Sequence, residues 1–535
     1  MQIKINDIRK CLDNHIMNLI ILKYDILASF CFRNRSSFKE LNMNIVLLII
    51  DTLRYDHIGA YGGMDIKTPN IDRLASKSWN FHRAFAASFP TIPHRTDVMT
   101  GLYGSPFHYW RPLAARVPTL PRALADCGYC SQYIHDTPHT VNAGGRFDHP
   151  FDAWTFIRGA EVDRPWITDS WELLPNWERD PEFDRSDMTM EEAIRRHHST
   201  CCYLHANRHR EKEEDWNTPR LFTAASQFLR DNLSRDNFFL WIDCFDPHEP
   251  WDPPPEYITM YDKTPGYSGK VDPRSFHHDL TDRKDISETA VNRIRSMYRA
   301  DITFVDKWLG RFLDTLEETG LSRNTAVLLT SDHGTNMRDD ERDRFYKTVP
   351  PRENEAHVPF MVSVPGHGAG DSDIIVQPQD IFATVMSIAD RSASLPEEVE
   401  SFDVLEAAEK GVNTRSIALT GAALEHWKDP GPETVLFSVF DRTWNMAFTA
   451  DPAACDLKII GNLEDVSKDN PDIVSQLHSA ALGEIKHRGL DPGISEWIRG
   501  GGKGEFPAVD HPDMGPYGAY WKHLNSSLGI KENSG

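Results

Sequence analysis

The run IVLLIID, from Ile45 to Asp51, is the stretch that decides the fold. It is continuously apolar, rich in β-branched residues and closed by an acid, a pattern typical of a buried parallel strand with a functional residue at its carboxyl end. Two later runs are built in the same way and lead to Asp243 and Asp332. A further apolar run occupies residues 358–364 and stops at a Pro-Gly pair.

A long amphipathic helix is predicted between the second and third of these runs. Its apolar stripe consists of Ile302, Val305, Leu309, Phe312, Leu313 and Leu316. Gly320 is expected to follow its C-terminus. Strands that alternate with helices predict an α/β fold, with a doubly wound, mixed and mostly parallel sheet flanked by helices. In such sheets the chemistry lies beyond the carboxyl ends of the strands.

The composition is that of a globular protein. Of the 535 residues, 40% are hydrophobic and 26% are charged. The 58 basic and 80 acidic residues give a net charge of −22, which argues against nucleic-acid binding because that function needs a basic face. No apolar stretch is long and unbroken enough to cross a membrane. We therefore expect a cytoplasmic protein with no nucleic-acid or membrane partner; formation of a homo-oligomer is left open.

Three parts of the chain are predicted. Residues 1–42 are either an N-terminal extension or the result of a start codon assigned too far upstream. Residues 43–413 form the catalytic domain, and residues 414–535 form a smaller α+β subdomain with a surface tail. The irregular region 156–217 is expected to lie over the active-site face, where functional loops collect.

Residues with catalytic chemistry are concentrated in four separated segments. These are Asp51 to His57, Pro90 to Arg95, Asp246 to Trp251, and Ser331 to Gly334, the last followed by Lys347. Two of the segments come directly after predicted strands, so their side chains are expected at the same edge of the sheet.

The four segments resemble those of the sulfatase family in the alkaline phosphatase superfamily. That family shares the motif Cys/Ser-x-Pro-x-Arg, with Thr-Gly nine residues after the nucleophile. Residues 91–95 with Thr100 and Gly101 match this register at every position except the first. The resemblance covers about residues 44–390, and the C-terminal part only loosely. It implies the family's fold and an activity on sulfate or phosphate esters.

The resemblance also implies roles for individual residues. The implied metal ligands are Asp51, Asp332 and His333. The implied catalytic residues are Thr91, Arg95, His248 and Lys347. The implied substrate-binding residue is His139, at a position where relatives carry a lysine and a histidine. His94, in the nucleophile segment, is predicted from its position to line the substrate pocket.

Thr91 is the one departure from the motif. The family's usual nucleophile is a formylglycine made by oxidising the Cys or Ser, whereas oxidation of a threonine would give a ketone. Ser88 cannot replace it, because Ile92 stands where the motif needs arginine. Thr91 is therefore predicted to act as an unmodified alcohol, as threonine does in phosphodiesterases and transferases of the same superfamily.

An unmodified hydroxyl ionises near neutral pH only with help, most directly from a divalent metal. Two carboxylates, one imidazole and Thr91 as fourth ligand favour a single Mn²⁺ or Zn²⁺, with Ca²⁺ and Mg²⁺ as alternatives. Arg95 and Lys347 are predicted to stabilise the ester oxygens. A protonated His248 is predicted to donate to the departing oxygen.

The sequence thus predicts a metal-dependent hydrolase of small anionic esters, with phosphate or phosphonate esters slightly favoured over sulfate esters. Three alternatives remain. They are an arylsulfatase-type sulfuric ester hydrolase, a phospho-group transferase and a catalytically silent binding protein.

Overall fold

The structure of the protein is a computed structural model. It describes residues 43–63, 65–104, 108–114, 117–141, 145–166, 174–184, 198–276, 286–397, 399–427, 429–488 and 490–507. The predicted extension 1–42 lies outside the described residues, as does the final part of the predicted tail.

The strands are β1 Asn44–Ile50, β2 Trp79–Ala84, β3 Ser88–Phe89, β4 Cys130–His135, β5 Ala153–Phe156, β6 Phe238–Cys244, β7 Thr325–Thr330, β8 Asn336–Met337, β9 Phe345–Tyr346, β10 Phe360–Ser363, β11 Gly370–Val376, β12 Ala418–Ala422, β13 Phe437–Phe440, β14 Trp444–Phe448 and β15 Asp456–Ile459. The α-helices are α1 Pro69–Ala75, α2 Thr91–Thr100, α3 Leu120–Asp126, α4 His198–Ala206, α5 Asn217–Asp231, α6 Pro255–Ile258, α7 Glu288–Glu318, α8 Glu353–Ala356, α9 Asp380–Ala389, α10 Val404–Lys410, α11 Pro471–His487 and α12 Pro492–Arg499.

The main sheet has the strand order β11-β2-β10-β7-β1-β6-β4-β5. The central strand β1 runs parallel to both β6 and β7, whereas β10 runs antiparallel to its neighbours β7 and β2. Alternate residues of β1 enter two separate apolar cores, one on each face of the sheet. Helices cover both faces, which explains why the central strands are continuously apolar. The predicted mixed, mostly parallel α/β sheet is confirmed.

Helix α7 contains the predicted apolar stripe and extends beyond it at its N-terminus. Its first turn is capped by Ser287, whose side chain accepts a hydrogen bond from the Ala290 N–H at 3.1 Å. Gly320, two residues past the helix, has a φ of 74°, the left-handed conformation expected at a helix end. None of the described helices combines the length and apolarity that crossing a bilayer requires.

A second sheet has the order β15-β14-β13-β12-β3. Its C-terminal strands are antiparallel, but β12 pairs in parallel with β3, so that Gly421 lies opposite Ser88. The segment that directly precedes Thr91 therefore belongs to the C-terminal sheet. The C-terminal subdomain, which was predicted as a smaller α+β unit, is present and is rich in β-structure; its boundary at residue 413 stays a prediction.

His135, the last residue of β4, is buried. We therefore predict that it contributes to the pH dependence of the protein's stability. Burial lowers its pKa from 6.5 to about 4, because the imidazolium would lose its hydration. The unfolded chain binds this proton more readily, so stability is lost as the pH falls from 6.5 towards 4, by up to about 3 kcal/mol. His135→Phe should therefore flatten the decline of the unfolding free energy, measured by chemical denaturation, over this range. The control variant His487→Gln, which changes an exposed histidine, should keep the native decline. If the unfolding free energy of the native protein and of both variants fell equally with pH, His135 would not be the source of the decline.

Candidate active site

Two neighbouring parallel strands deliver three potential metal ligands to one point. Asp51 follows β1, and Asp332 and His333 follow β7; all three are fully buried. One ligand atom from each lies within 4.8 Å of the others. Thr91, the first residue of α2, brings its Oγ1 to 3.4 Å from His333 Nε2. The structure thus brings together the four residues that were predicted to hold a metal.

The orientation of these side chains is fixed by the backbone around them. Asp332 Oδ1 accepts hydrogen bonds from the N–H groups of Thr52, at 3.0 Å, and His333, at 2.8 Å. His333 Nδ1 lies 2.8 Å from the Gly334 carbonyl oxygen. Because a carbonyl can only accept, Nδ1 carries the proton and the lone pair of Nε2 is available to the cluster.

Arg95 lies beneath the ligands, completely buried. Its guanidinium donates to Asp332 at 2.6 Å, to Asp51 at 3.0 Å and to both oxygens of Asp243 at 2.6 and 2.7 Å. Its nitrogens donate to protein acceptors, so that in this structure it holds the carboxylates together. The predicted contact of Arg95 with the ester oxygens stays a prediction.

The charge of this centre fits a divalent cation. When the carboxyls of Asp51, Asp243 and Asp332 are all ionised, they share the guanidinium of Arg95, which leaves an excess of two negative charges in a buried site. Burial and the charge of Asp332 raise the pKa of Asp51 well above its ordinary value. Burial opposes ionisation of Asp332 as well, but His333 and Arg95 hold its pKa below the ordinary range. Two carboxylates, an imidazole and a hydroxyl make a donor set that suits Mn²⁺ or Zn²⁺.

A second group of side chains, which we call the flanking cluster, consists of His139, Glu161, His248, Glu249 and Lys347. His139 comes after β4, His248 after β6 and Lys347 directly after β9. Lys347 interacts electrostatically with Asp51 and Asp332, which ties the flanking cluster to the metal ligands.

His248 is neutral in this arrangement. Its Nδ1 donates to the Glu249 carbonyl oxygen at 2.7 Å, so its Nε2 must accept from the Lys347 ammonium, 2.5 Å away. Burial lowers the pKa of His248 to about 4. The prediction of a protonated His248 is therefore corrected: the available proton is on Lys347.

The two predicted substrate-binding histidines have different surroundings. His139 Nε2 lies 2.9 Å from Glu161 Oε2, and its Nδ1 is buried with no hydrogen-bond partner among the described residues. Both ring nitrogens of His94 are likewise buried and lack such partners within the described part of the chain. Burial lowers the pKa of His94 to about 4. Substrate binding by either histidine stays a prediction.

Sequence reasoning did not assign Asp243, Glu161 or Glu249 to the site. A signal existed for Asp243, which ends a buried strand as Asp51 does, and for Glu249, which adjoins His248. Glu161 lies in the irregular region, where no periodicity points to it.

The fold and the site define a class of protein, a metal-dependent ester hydrolase whose candidate metal ligands follow the strands of a mostly parallel sheet. The sequence model of the Sulfatase family matches residues 43–391, more than half of the chain. The chain therefore belongs to the sulfatase family.

Individual relatives are distant. An arylsulfatase of Clostridium perfringens is 27% identical over 403 residues, which span 69% of this chain and 79% of that protein. The iduronate 2-sulfatase of Mus musculus is 24% identical over 380 residues, 64% of each chain. The crystal structure of the phosphonate monoester hydrolase of Agrobacterium radiobacter has a TM-score of 0.59 at 19% identity and covers 84% of this chain and 96% of its own. This last similarity shows the shared fold.

Proposed function

We propose that the protein hydrolyses phosphate or phosphonate esters in preference to sulfate esters, with the unmodified hydroxyl of Thr91 as nucleophile. The observation that carries the proposal is the position of Thr91 Oγ1, 3.4 Å from His333 Nε2 and so beside the buried Asp51, Asp332 and His333 cluster. A divalent ion held by these four residues would lower the pKa of the hydroxyl and offset negative charge on the ester oxygens.

The remaining steps use groups of the chain itself. Thr91 is the first residue of α2, so the positive end of that helix's dipole favours the anionic ester group. Thr91 Oγ1, whose hydroxyl proton passes to solvent when it ionises, forms a bond to phosphorus while the bond from phosphorus to the leaving oxygen breaks. Lys347 gives a proton to that oxygen and leaves its hydrogen bond with His248. Water then attacks phosphorus and gives a proton back to the neutral Lys347 amine, while the bond from phosphorus to the threonine oxygen breaks and the phosphate or phosphonate product is released.

The role given to Lys347 predicts a dependence on the leaving group. Lys347→Ala should lower kcat by about 10²–10⁴-fold for an alkyl ester, whose departing oxygen needs a proton. The loss should be much smaller for a nitrophenyl ester, whose departing oxygen is a weak base. Steady-state kinetics with a series of leaving groups measures the difference, and the exposed-site variant Lys263→Ala is the control. A loss that is the same for every leaving group would contradict proton donation by Lys347.

The test of the proposed function is a comparison of esters that share one alcohol. The purified protein, supplied with Mn²⁺ or Zn²⁺, is assayed with the aryl phosphate, the phenylphosphonate monoester and the aryl sulfate of one phenol. We expect the highest kcat/KM for one of the two phosphorus esters. A higher value for the sulfate would overturn the preference, and no turnover of any ester would overturn the proposal.

The second candidate is a sulfuric ester hydrolase. It is favoured by the similarity to the arylsulfatase of Clostridium perfringens, which spans 69% of this chain. The same three esters decide between the two candidates.

A further inference from the structure

The flanking cluster contains one carboxylate more than it has permanent cations. Lys347 Nζ lies 3.4 Å from Glu249 Oε1, which pairs these two residues. Glu161 forms no ion pair with any lysine or arginine in the described ranges of the chain; its Oε2 lies against the imidazole of His139. Although burial opposes ionisation, the hydrogen bond from His139 holds the pKa of Glu161 below its ordinary value. Glu161 therefore carries a negative charge at neutral pH.

The backbone at Glu161 is held in a conformation that is rare for a residue with a side chain. Its φ is +28°, in the left-handed region, where a non-glycine residue costs about 1–3 kcal/mol. Glu161 lies just beyond β5, which pairs in parallel with β4, the strand that precedes His139. The strained segment therefore places the carboxylate at the edge of the sheet where the metal ligands also lie.

Aromatic rings adjoin His139, the residue whose imidazole contacts this carboxylate. The Trp110 ring meets the His139 ring edge-on, with their centroids 5.1 Å apart, and the Phe245 ring lies 5.9 Å from it. Phe245 also stacks on His248 at 4.1 Å. An anionic group beside aromatic faces is the environment that recognises alkylammonium ions, through Coulomb attraction and cation–π contact.

The charges of the metal centre and of the flanking cluster together indicate which kind of ester would bind. At the metal centre, the two excess negative charges are balanced by a divalent ion. The negative charge of Glu161 then remains beside a bound anionic ester, unless the ester itself brings a cation. A positive group on the leaving alcohol would supply that balance next to His139 and Trp110.

We propose that the ester's leaving alcohol carries an ammonium group that binds Glu161, which makes Glu161 the residue that determines specificity for this part of the substrate. The proposal rests on the proposed function for the reaction itself and adds the chemical class of the leaving group.

The test uses two alcohols of the same shape and different charge. They are choline and its neutral isostere, in which carbon replaces the quaternary nitrogen. The phosphate and sulfate monoesters of each are assayed with the metal-loaded protein. We expect kcat/KM for the ammonium ester to exceed that of the isostere by at least about ten-fold, and Glu161→Gln to reduce this ratio to about three-fold or less. Glu433→Gln, which removes an exposed charge elsewhere, should keep the native ratio.

The ratio separates specificity from a merely structural role. If Glu161→Gln lowered kcat/KM for both esters equally, Glu161 would only position His139 and the proposal would be overturned. A ratio near one in the native protein would overturn it as well.

A binding measurement keeps this test independent of the reaction. Calorimetric titration of metal-loaded Thr91→Ala protein with the intact esters should show tighter binding of the ammonium ester, and Thr91→Ala/Glu161→Gln should lose that difference. Equal binding of the two esters would overturn the ammonium site even if both are hydrolysed. Absence of turnover with selective binding would overturn only the proposed function.

Discussion

Thr91→Ala is expected to lower kcat for every ester the protein hydrolyses by at least about 10⁴-fold, because it removes the atom that forms the covalent bond. The side chain is small and buried, and its Oγ1 makes its contact with His333 at the long distance of 3.4 Å. The variant should therefore fold, keep the other metal ligands in place and retain bound metal. Steady-state kinetics, metal analysis and thermal unfolding together measure this outcome.

Two further variants make the result specific to the hydroxyl. Thr91→Ser keeps an alcohol at the same position and should retain turnover, with mass spectrometry of the peptide establishing that the serine is unmodified. Thr96→Ala removes a hydroxyl further along α2 that donates to the Ile92 carbonyl at 2.9 Å, and should leave kcat unchanged. Substantial turnover by Thr91→Ala would end the assignment of Thr91 as nucleophile.

Removal of the divalent ion with a chelator is expected to abolish turnover and to lower the Tm. Without the ion, the carboxylates of Asp51, Asp243 and Asp332 are all paired with the one guanidinium of Arg95, so negative charge is left incompletely compensated in a site with no exposure to solvent. Loss of a partner from such a buried charge group costs about 3–5 kcal/mol. Activity assays, calorimetry and metal analysis before and after chelation test both effects.

Restoration distinguishes metal loss from damage to the protein. One equivalent of Mn²⁺ or Zn²⁺ should return both activity and Tm, and Asp332→Asn should not be rescued in this way. The exposed carboxylate variant Asp314→Asn should behave like the native protein throughout. Full activity in protein from which all metal has been removed would contradict the assignment of the site.

The central sheet could be predicted because its strands are packed against an apolar core on each face, which makes consecutive residues of a strand apolar. Ile45 and Val46 enter opposite cores, so both faces of β1 had to be apolar, and the run was recognisable in the sequence. The direction of a strand has no such signal: the run at 358–364 is as apolar as the others, yet β10 is antiparallel. The position of β3 was equally hidden, because its two residues pair with a strand more than 300 positions away.

The grouping of the candidate metal ligands could be predicted for a related reason. Asp51 and Asp332 directly follow buried strands, and parallel neighbours end at one edge. The partners of Arg95 could not be predicted, since they depend on how three strands are brought together around it. The protonation of His248 depends on burial and on Lys347, which is distant in sequence. Glu161 was missed because its conformation is imposed by contacts that leave no periodic trace in the sequence.

The pairing of β3 with β12 has a consequence for engineering. The segment that precedes Thr91 is held by a strand more than 300 residues later in the chain, so residues 43–413 cannot be transferred to another protein without that strand. A shortened version ending before Ala418 would lose the partner of Ser88 and Phe89 and, with it, the fixed starting point of the helix that bears Thr91. Chimaeras intended to exchange specificity among relatives should therefore swap the intervening loops and keep both ends of the polypeptide from one parent.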